Sequence, residues 1–292
     1  MTQKTQLNNH LRKREIIART EEVQSEIIKL QTLNGNKLEN YYMNIKNLDE
    51  DALTMFWKPS QAAKNSQDGH DMIQSAVEGY KDVLESLTNG YNGVQAANDT
   101  FIDSNWVDLQ DDLNEIVAGI STISRFTEYN GQVLINGEYA SSTGKTNATF
   151  LVGVKPTDTV SFEPKNMSPS VLGKVPVTDD SVFDQDGNML TEVYLDHFTK
   201  SGHNNSKVLI NTTAVAQAAL NSITSAISYV KSTLSDANLI QAELVRIKGF
   251  MNNKAAKGKS FLVNFKNDRA RELAQELEDL EGQLELLGTM GN

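Results

Sequence analysis

Apolar residues recur along most of this chain at alternating steps of four and three. Ile73, Val77, Tyr80, Leu84, Leu87, Tyr91 and Val94 keep that spacing over three heptads, and Leu109, Leu113, Ile116, Ile120 and Ile123 repeat it. Leu220, Ile223, Ile227, Val230, Leu234 and Ala237 form a third seam, which continues after a one-residue slip as Ile240, Leu244, Ile247 and Met251. Leu273, Leu277, Leu280, Leu284 and Leu287 form a fourth, and Ile16, Thr20, Val23, Ile27 and Leu30 a fifth near the start. A 3.5-residue apolar period is the mark of helices that pack lengthwise on one another. A helix over residues 60–98 would be ~58 Å long, which predicts a rod-like molecule.

The punctuation between the seams predicts where the helices stop. Lys58-Pro59 should end the first charged helix, because proline disfavours helix at the residue before it, and Ser60 offers a cap for the next one. Asn89-Gly90-Tyr91-Asn92-Gly93 places two glycines in a helix, where each costs ~1 kcal/mol relative to alanine, so a bend or loosened turn is expected there. Asn34-Gly35-Asn36 breaks the first seam, and Asn252-Asn253-Lys254 with Gly258 should interrupt the last. At Asn130-Gly131 helical periodicity gives way to strands. Asn-Gly supplies the positive φ angles of a tight hairpin turn, and Asn136-Gly137 repeats the signal. Val133, Leu134 and Ile135, then Phe150, Val152 and Val154, then Val160 and Phe162 read as short strands among Gly, Asn, Pro and Ser.

The predicted fold is therefore mainly α: an elongated bundle of long antiparallel, coiled-coil-like N- and C-terminal helices with a β-hairpin-rich central insert. Five segments follow. Residues 1–58 are an N-terminal helical segment and 59–128 the N-terminal part of the rod. Residues 129–206 are the hairpin-rich insert on the outer face. Residues 207–251 are the C-terminal rod helix, and 252–292 a last helix pairing with the N-terminal segment. For the end helices to bury their seams they should pack in one bundle. A rod this thin has too few internal neighbours for every seam, so some of these residues should also face other subunits. The seam positions are thus the candidate helix- and subunit-packing residues, with Asn130, Gly131, Asn136 and Gly137 as hairpin turns.

Charge and chemistry narrow the function. The 292 residues hold 27 basic and 38 acidic side chains, a net charge of −11, opposite to what phosphate binding needs, so nucleic acid is not an expected partner. The chain has no cysteine, which removes disulfides, thiolate metal sites and cysteine nucleophiles and suits a protein that leaves the cytoplasm. No apolar run reaches the ~18 residues of a membrane span, and Met1-Thr2-Gln3-Lys4 does not open a cleavable secretion signal. His10, His70, His197 and His203 have no helical metal-ligand spacing; His197 and His203 are expected to be solvated. Asp184-Gln185-Asp186-Gly187-Asn188 resembles the start of a calcium loop, but Leu195 stands where its closing glutamate belongs. Asn98, Asn147, Asn204 and Asn211 open glycosylation triplets of a kind frequent in Asn-rich chains. No phosphate loop, serine elbow or paired-carboxylate site appears. Neither an enzyme nor a cofactor or metal is expected.

Three stretches resemble bacterial flagellin. Asn65-Ser66-Gln67-Asp68-Gly69 before Ile73-Gln74-Ser75-Ala76-Val77-Glu78-Gly79 is similar to the family's "N-x-x-D-G" and "I-x-x-A-x-x-G" runs. Thr127-Glu128-Tyr129-Asn130-Gly131-Gln132-Val133-Leu134 and Phe150-Leu151-Val152-Gly153 resemble its "T-x-F-N-G-x-x-L" and "F-x-V-G" segment. Ala216-Gln217-Ala218-Ala219-Leu220 through Ile223 to Ala226-Ile227 resembles the start of its C-terminal helix. Both ends depart from the family pattern: Leu33 to Leu38 is only an echo of its arginine-containing stretch, and a Glu-rich helix replaces its Gln- and Ala-rich terminus. The resemblance implies a self-assembling structural subunit of a secreted flagellar filament, serving motility. It also implies copies of itself as the main partner, with hook-associated and cap proteins and an export chaperone besides. A hook–filament junction protein and a secreted binding module on a flagellin-like rod are the alternatives. Residues 85–97, where the family's receptor-recognised segment falls, contain no arginine.

Overall fold

The computed structural model describes residues 3–33, 50–99, 105–139, 144, 146–177, 182–199, 202 and 206–289. Four helices carry most of them: α1 (Gln3–Thr32), α2 (Glu50–Asp99), α3 (Asn105–Phe126) and α4 (Thr213–Thr289). Between α3 and α4 lie six short strands, β1 (Glu128–Tyr129), β2 (Gln132–Val133), β3 (Ala148–Leu151), β4 (Thr159–Phe162), β5 (Val175–Pro176) and β6 (Glu192–Val193), followed by a 3-10 turn at Leu195–Phe198. They pair as three separate two-stranded antiparallel sheets, β1 with β2, β3 with β4 and β5 with β6.

The chain divides into two compact units. One comprises Met1–Gln61 with Phe250–Asn292, the other Ala62–Gly249. In the first, α1 lies antiparallel to the end of α4. Arg19 Nε donates to Glu276 Oε1 at 2.7 Å, Arg269 Nε sits 3.5 Å from Glu26 Oε1, and Lys266 Nζ donates to the Leu33 carbonyl. Between these polar ties Val23, Leu30 and Leu273 are buried, with Ile27, Leu277 and Leu280 packed against them. In the second unit one core joins α2, α3, α4 and the strand insert.

Two expected breaks are absent, and the turn expected to loosen is helical. Pro59 lies inside α2, which continues through it. Proline in a helix interior forfeits a hydrogen bond and crowds the preceding turn, at ~3 kcal/mol. Pro59 itself is buried, as are Ala62 and Ala63 in the next turn, and this packing holds the helix through that defect. The Asn89–Gly93 stretch is likewise helical throughout. Gly90 faces α3: a Cβ there would stand 2.4 Å from Ile116 Cδ1. The glycine is a packing notch, not a weak turn. Asn252, Asn253, Lys254 and Gly258 do not interrupt α4, which runs unbroken to Thr289. Asn34-Gly35-Asn36 lies outside the described residues.

The helix-to-hairpin junction forms as the sequence predicts. Asn130 (φ 51°) and Gly131 (φ 74°) are the two turn residues between Tyr129 and Gln132, the left-handed pair that a tight hairpin requires. Asn136-Gly137 differs. Gly137 has φ 88°, and Asn136 Oδ1 accepts the Glu138 amide, but among the described residues no strand pair closes on it. It is a side-chain-capped turn that carries the chain away from the first hairpin. Leu134 and Ile135 belong to no strand; both are fully buried, and the Met167 amide donates to the Ile135 carbonyl.

Candidate assembly surface

The predicted packing residues are turned inward. Ile73, Val77, Tyr80, Leu87, Leu109, Leu113, Ile120, Ile223, Val230 and Leu234 are buried in the core of the second unit, and Leu84, Ile116 and Ile227 pack against it. Leu273 is buried against α1; Leu277 and Leu280 pack beside it, and Leu284 is half-buried. These positions hold helices of one chain together.

The polar atoms that fix the insert on the helices are side chains reaching backbone. Tyr80, fully buried, accepts the Lys165 amide on its hydroxyl at 2.9 Å, and burial pushes its phenol well above the ordinary value. Asn65 Nδ2 donates to the Leu151 carbonyl, Ser222 Oγ to that of Gly173, and Ser225 Oγ to that of Lys174. Gly173 (φ 71°) has no room for a Cβ, which would meet Ser222 Oγ at 2.4 Å. On the insert, Lys174 Nζ pairs with Glu192 Oε2 at 2.8 Å and holds that carboxyl below its usual range.

His197 contradicts the expectation of a solvated residue. It is buried, its ring stacks on Tyr194, and its Nδ1 accepts the Tyr194 amide at 2.8 Å. It is a structural tie, which its sequence setting of polar loop residues concealed. His203 lies outside the described residues. The calcium-like stretch is a self-satisfied loop: Asp184 Oδ1 accepts the amides of Asp186 and Asn188, and the Asn188 side chain bonds the same carboxylate. Those donors hold the Asp184 carboxyl below the ordinary carboxylate value. Among the described residues no group of three or more His, Cys, Asp or Glu is placed to hold a metal.

Exposed apolar side chains occur on α1, α3 and α4, Phe126, Val107 and Leu239 among them, and several gather on α1 and the end of α4. Ile28 and Leu286 are each 61% exposed and Phe250 60%, with Leu11, Ile17, Phe261 and Phe265 also exposed. Two helices present only one mutual face, so residues off that face stay in water unless a third element covers them. These positions fall outside the dominant 4-3 register of the seams. Their signal in the sequence was the second apolar residue beside a seam position, as in Ile16-Ile17 and Ile27-Ile28.

Long helices packed lengthwise, with a strand insert hung from a helix-to-hairpin junction, define the fold class as a mainly α helical bundle. Residues 57–140 match the model of the bacterial flagellin N-terminal helical region. The chain is 31% identical over 119 residues to flagellin of Bacillus subtilis (strain 168), covering 38% of this chain and 39% of that protein. It is 27% identical over 92 residues to the flagellar filament 31.3 kDa core protein of Treponema maltophilum, covering 31% and 32% of the two. A solved structure of FliC from Burkholderia pseudomallei overlaps 64% of this chain and 99% of that one, at 16% identity and a TM-score of 0.41. Over part of its length the chain is thus similar to bacterial flagellins; the matched parts span well under half of those two curated relatives.

Proposed function

We propose that this chain is a structural subunit of a bacterial flagellar filament, outside the cell and serving motility, that assembles with copies of itself through its terminal helices. The observation that carries the reading is the apolar surface left on α1 and the end of α4 after their own seam is filled. A repeated contact between unlike surfaces of identical copies propagates into a filament when its rotation does not close. The match over residues 57–140 and the names of the relatives support the same reading. The role is structural, with no catalytic step. Hook-associated proteins, a cap and an export chaperone are the further partners this role requires. No described helix is long and apolar enough to cross a membrane.

Sedimentation of the full chain with an Ile28→Glu, Leu286→Glu double variant tests this. Wild type should pellet as polymer in polymerising salt, and the variant should stay in the supernatant with an unchanged helical circular dichroism spectrum. A variant that pellets like wild type removes these residues from the assembly surface. A second reading, a junction protein between hook and filament, draws on the charged ends: Arg12-Lys13-Arg14 at one, and six carboxylates between Glu272 and Glu285 at the other. Copy number in isolated flagella separates the two, since a junction is a few copies and a filament is nearly all of the mass.

A further inference from the structure

The apolar seams of α2 and α4 share a weakness. Ile73, Tyr80, Leu87 and Val94 recur every seven residues on α2, as do Val230, Ala237, Leu244 and Met251 on α4. Sliding one helix past the other by a heptad therefore brings apolar rows back onto apolar rows. Hydrophobic burial is non-directional, so the seam alone does not distinguish the two alignments.

Two polar rungs do. Gln241 Nε2 donates to Gln74 Oε1 at 2.5 Å, and Lys248 Nζ donates to Gln67 Oε1. The rungs lie one heptad apart on both helices, and all four side chains are half-buried. Gln67 relays the second rung onward, its Nε2 donating to Asp71 Oδ1, which also contacts His70 Nδ1. Between the rungs sits Gly69, where a Cβ would stand 2.9 Å from Phe150 of β3 and 3.1 Å from Leu244 of α4. On α4, Gln241 and Lys248 continue the row begun by buried Leu234, so they stand where the heptad calls for hydrocarbon.

We propose that the Gln74–Gln241 and Gln67–Lys248 rungs are a register clamp that selects one of several apolar-equivalent alignments of α2 against α4. A one-heptad slip in one direction sets Gln67 against Gln241 and Gln74 against Leu234. In the other direction Gln74 meets Lys248 and Gln67 meets Ala255. Either slip leaves a half-buried amide facing hydrocarbon, and the native alignment is the one in which both rungs bond. A half-buried polar pair in a helix seam gives up stability relative to leucine and gains uniqueness in return. The clamp acts within one chain and does not depend on the filament reading.

The absence of native cysteine permits a direct test. Lys64 on α2 and Lys231 on α4, both exposed, are replaced by cysteine and spin-labelled in the full chain, and the distance distribution is measured by pulsed electron resonance. With the native rungs the distribution should be single and narrow. Replacing all four rung residues by leucine should leave the thermal midpoint unchanged or higher and add a second population displaced by ~10 Å, the length of one heptad of helix. A reversed rung, Gln67→Lys with Lys248→Gln, should keep the single native distance. Should the fourfold variant not fold, the Q74L/Q241L pair is read in the same way. One native distance in the leucine variant overturns the proposal, as does a split distribution in the reversed rung.

Discussion

Placing alanine at two helical glycines should stabilise the protein at one and not at the other. Gly79 of α2 faces the start of the first hairpin: a Cβ there would stand 2.4 Å from Thr127 Oγ1, 2.7 Å from Thr127 Cγ2 and 2.9 Å from Ile135 Cδ1. None of these atoms yields easily. Thr127 is held by its amide and hydroxyl, both donating to the Ile123 carbonyl, and by its own carbonyl, which accepts the Leu134 amide at 2.9 Å. Ile135 is fully buried. Gly119 of α3 has no atom within 4 Å of the same position. Alanine gains ~1 kcal/mol over glycine in a helix interior at either site. Overpacking a filled site costs ~1–3 kcal/mol. Gly119→Ala should therefore stabilise by ~1 kcal/mol, while Gly79→Ala should be neutral to destabilising by ~2 kcal/mol. Urea titration followed by circular dichroism reads both as shifts in midpoint at constant slope. A Gly79→Ala variant as stabilised as Gly119→Ala would refute the claim that the hairpin seats directly on α2.

Four further outcomes follow from the same contacts. Tyr80→Phe removes the hydroxyl that accepts the part-buried Lys165 amide and should cost ~0.5–1.5 kcal/mol in urea titration. Leu273→Ala opens a cavity between α1 and α4 and should cost ~2–5 kcal/mol, seen as lost amide-exchange protection in α1. Arg19 holds the Glu276 carboxyl below its ordinary value, so that pairing contributes at neutral pH. Its contribution should be lost as pH falls from the unfolded value of ~4.3 through the lower folded one; amide exchange in α1 should rise over that window, less so in Glu276→Gln. Asn130→Val places a β-branched residue at φ 51° and should cost ~1–3 kcal/mol, again by urea midpoint.

Periodicity and turn chemistry were the legible part of this fold. The heptad rows of α2, α3 and α4 lie in the cores where their spacing put them, and Asn130-Gly131 turns the chain as Asn-Gly pairs do. The helices run through two expected stops and one expected loosened turn for one physical reason. Pro59, Gly90 and Gly258 carry local penalties of ~1–3 kcal/mol, which burial of a few neighbouring side chains of ~1.5–3 kcal/mol each outweighs. Local propensity cannot show that Gly90 is the notch for Ile116, because that requires knowing which helix lies alongside. Candidate surface residues were harder still. A heptad seam marks what a chain buries against itself, and Ile28, Phe250 and Leu286 do not belong to one. The slip between Ala237 and Ile240 was visible in the sequence, but its meaning was not: it flanks Gln241, the first α4 member of the polar rungs.

Electron microscopy of the purified full chain, taken through rising protein and salt concentration, tests the assembly claim most directly. The account predicts regular filaments from wild type and none from the Ile28→Glu, Leu286→Glu variant. Monomers of wild type under every condition, or filaments that the double substitution leaves intact, would contradict it.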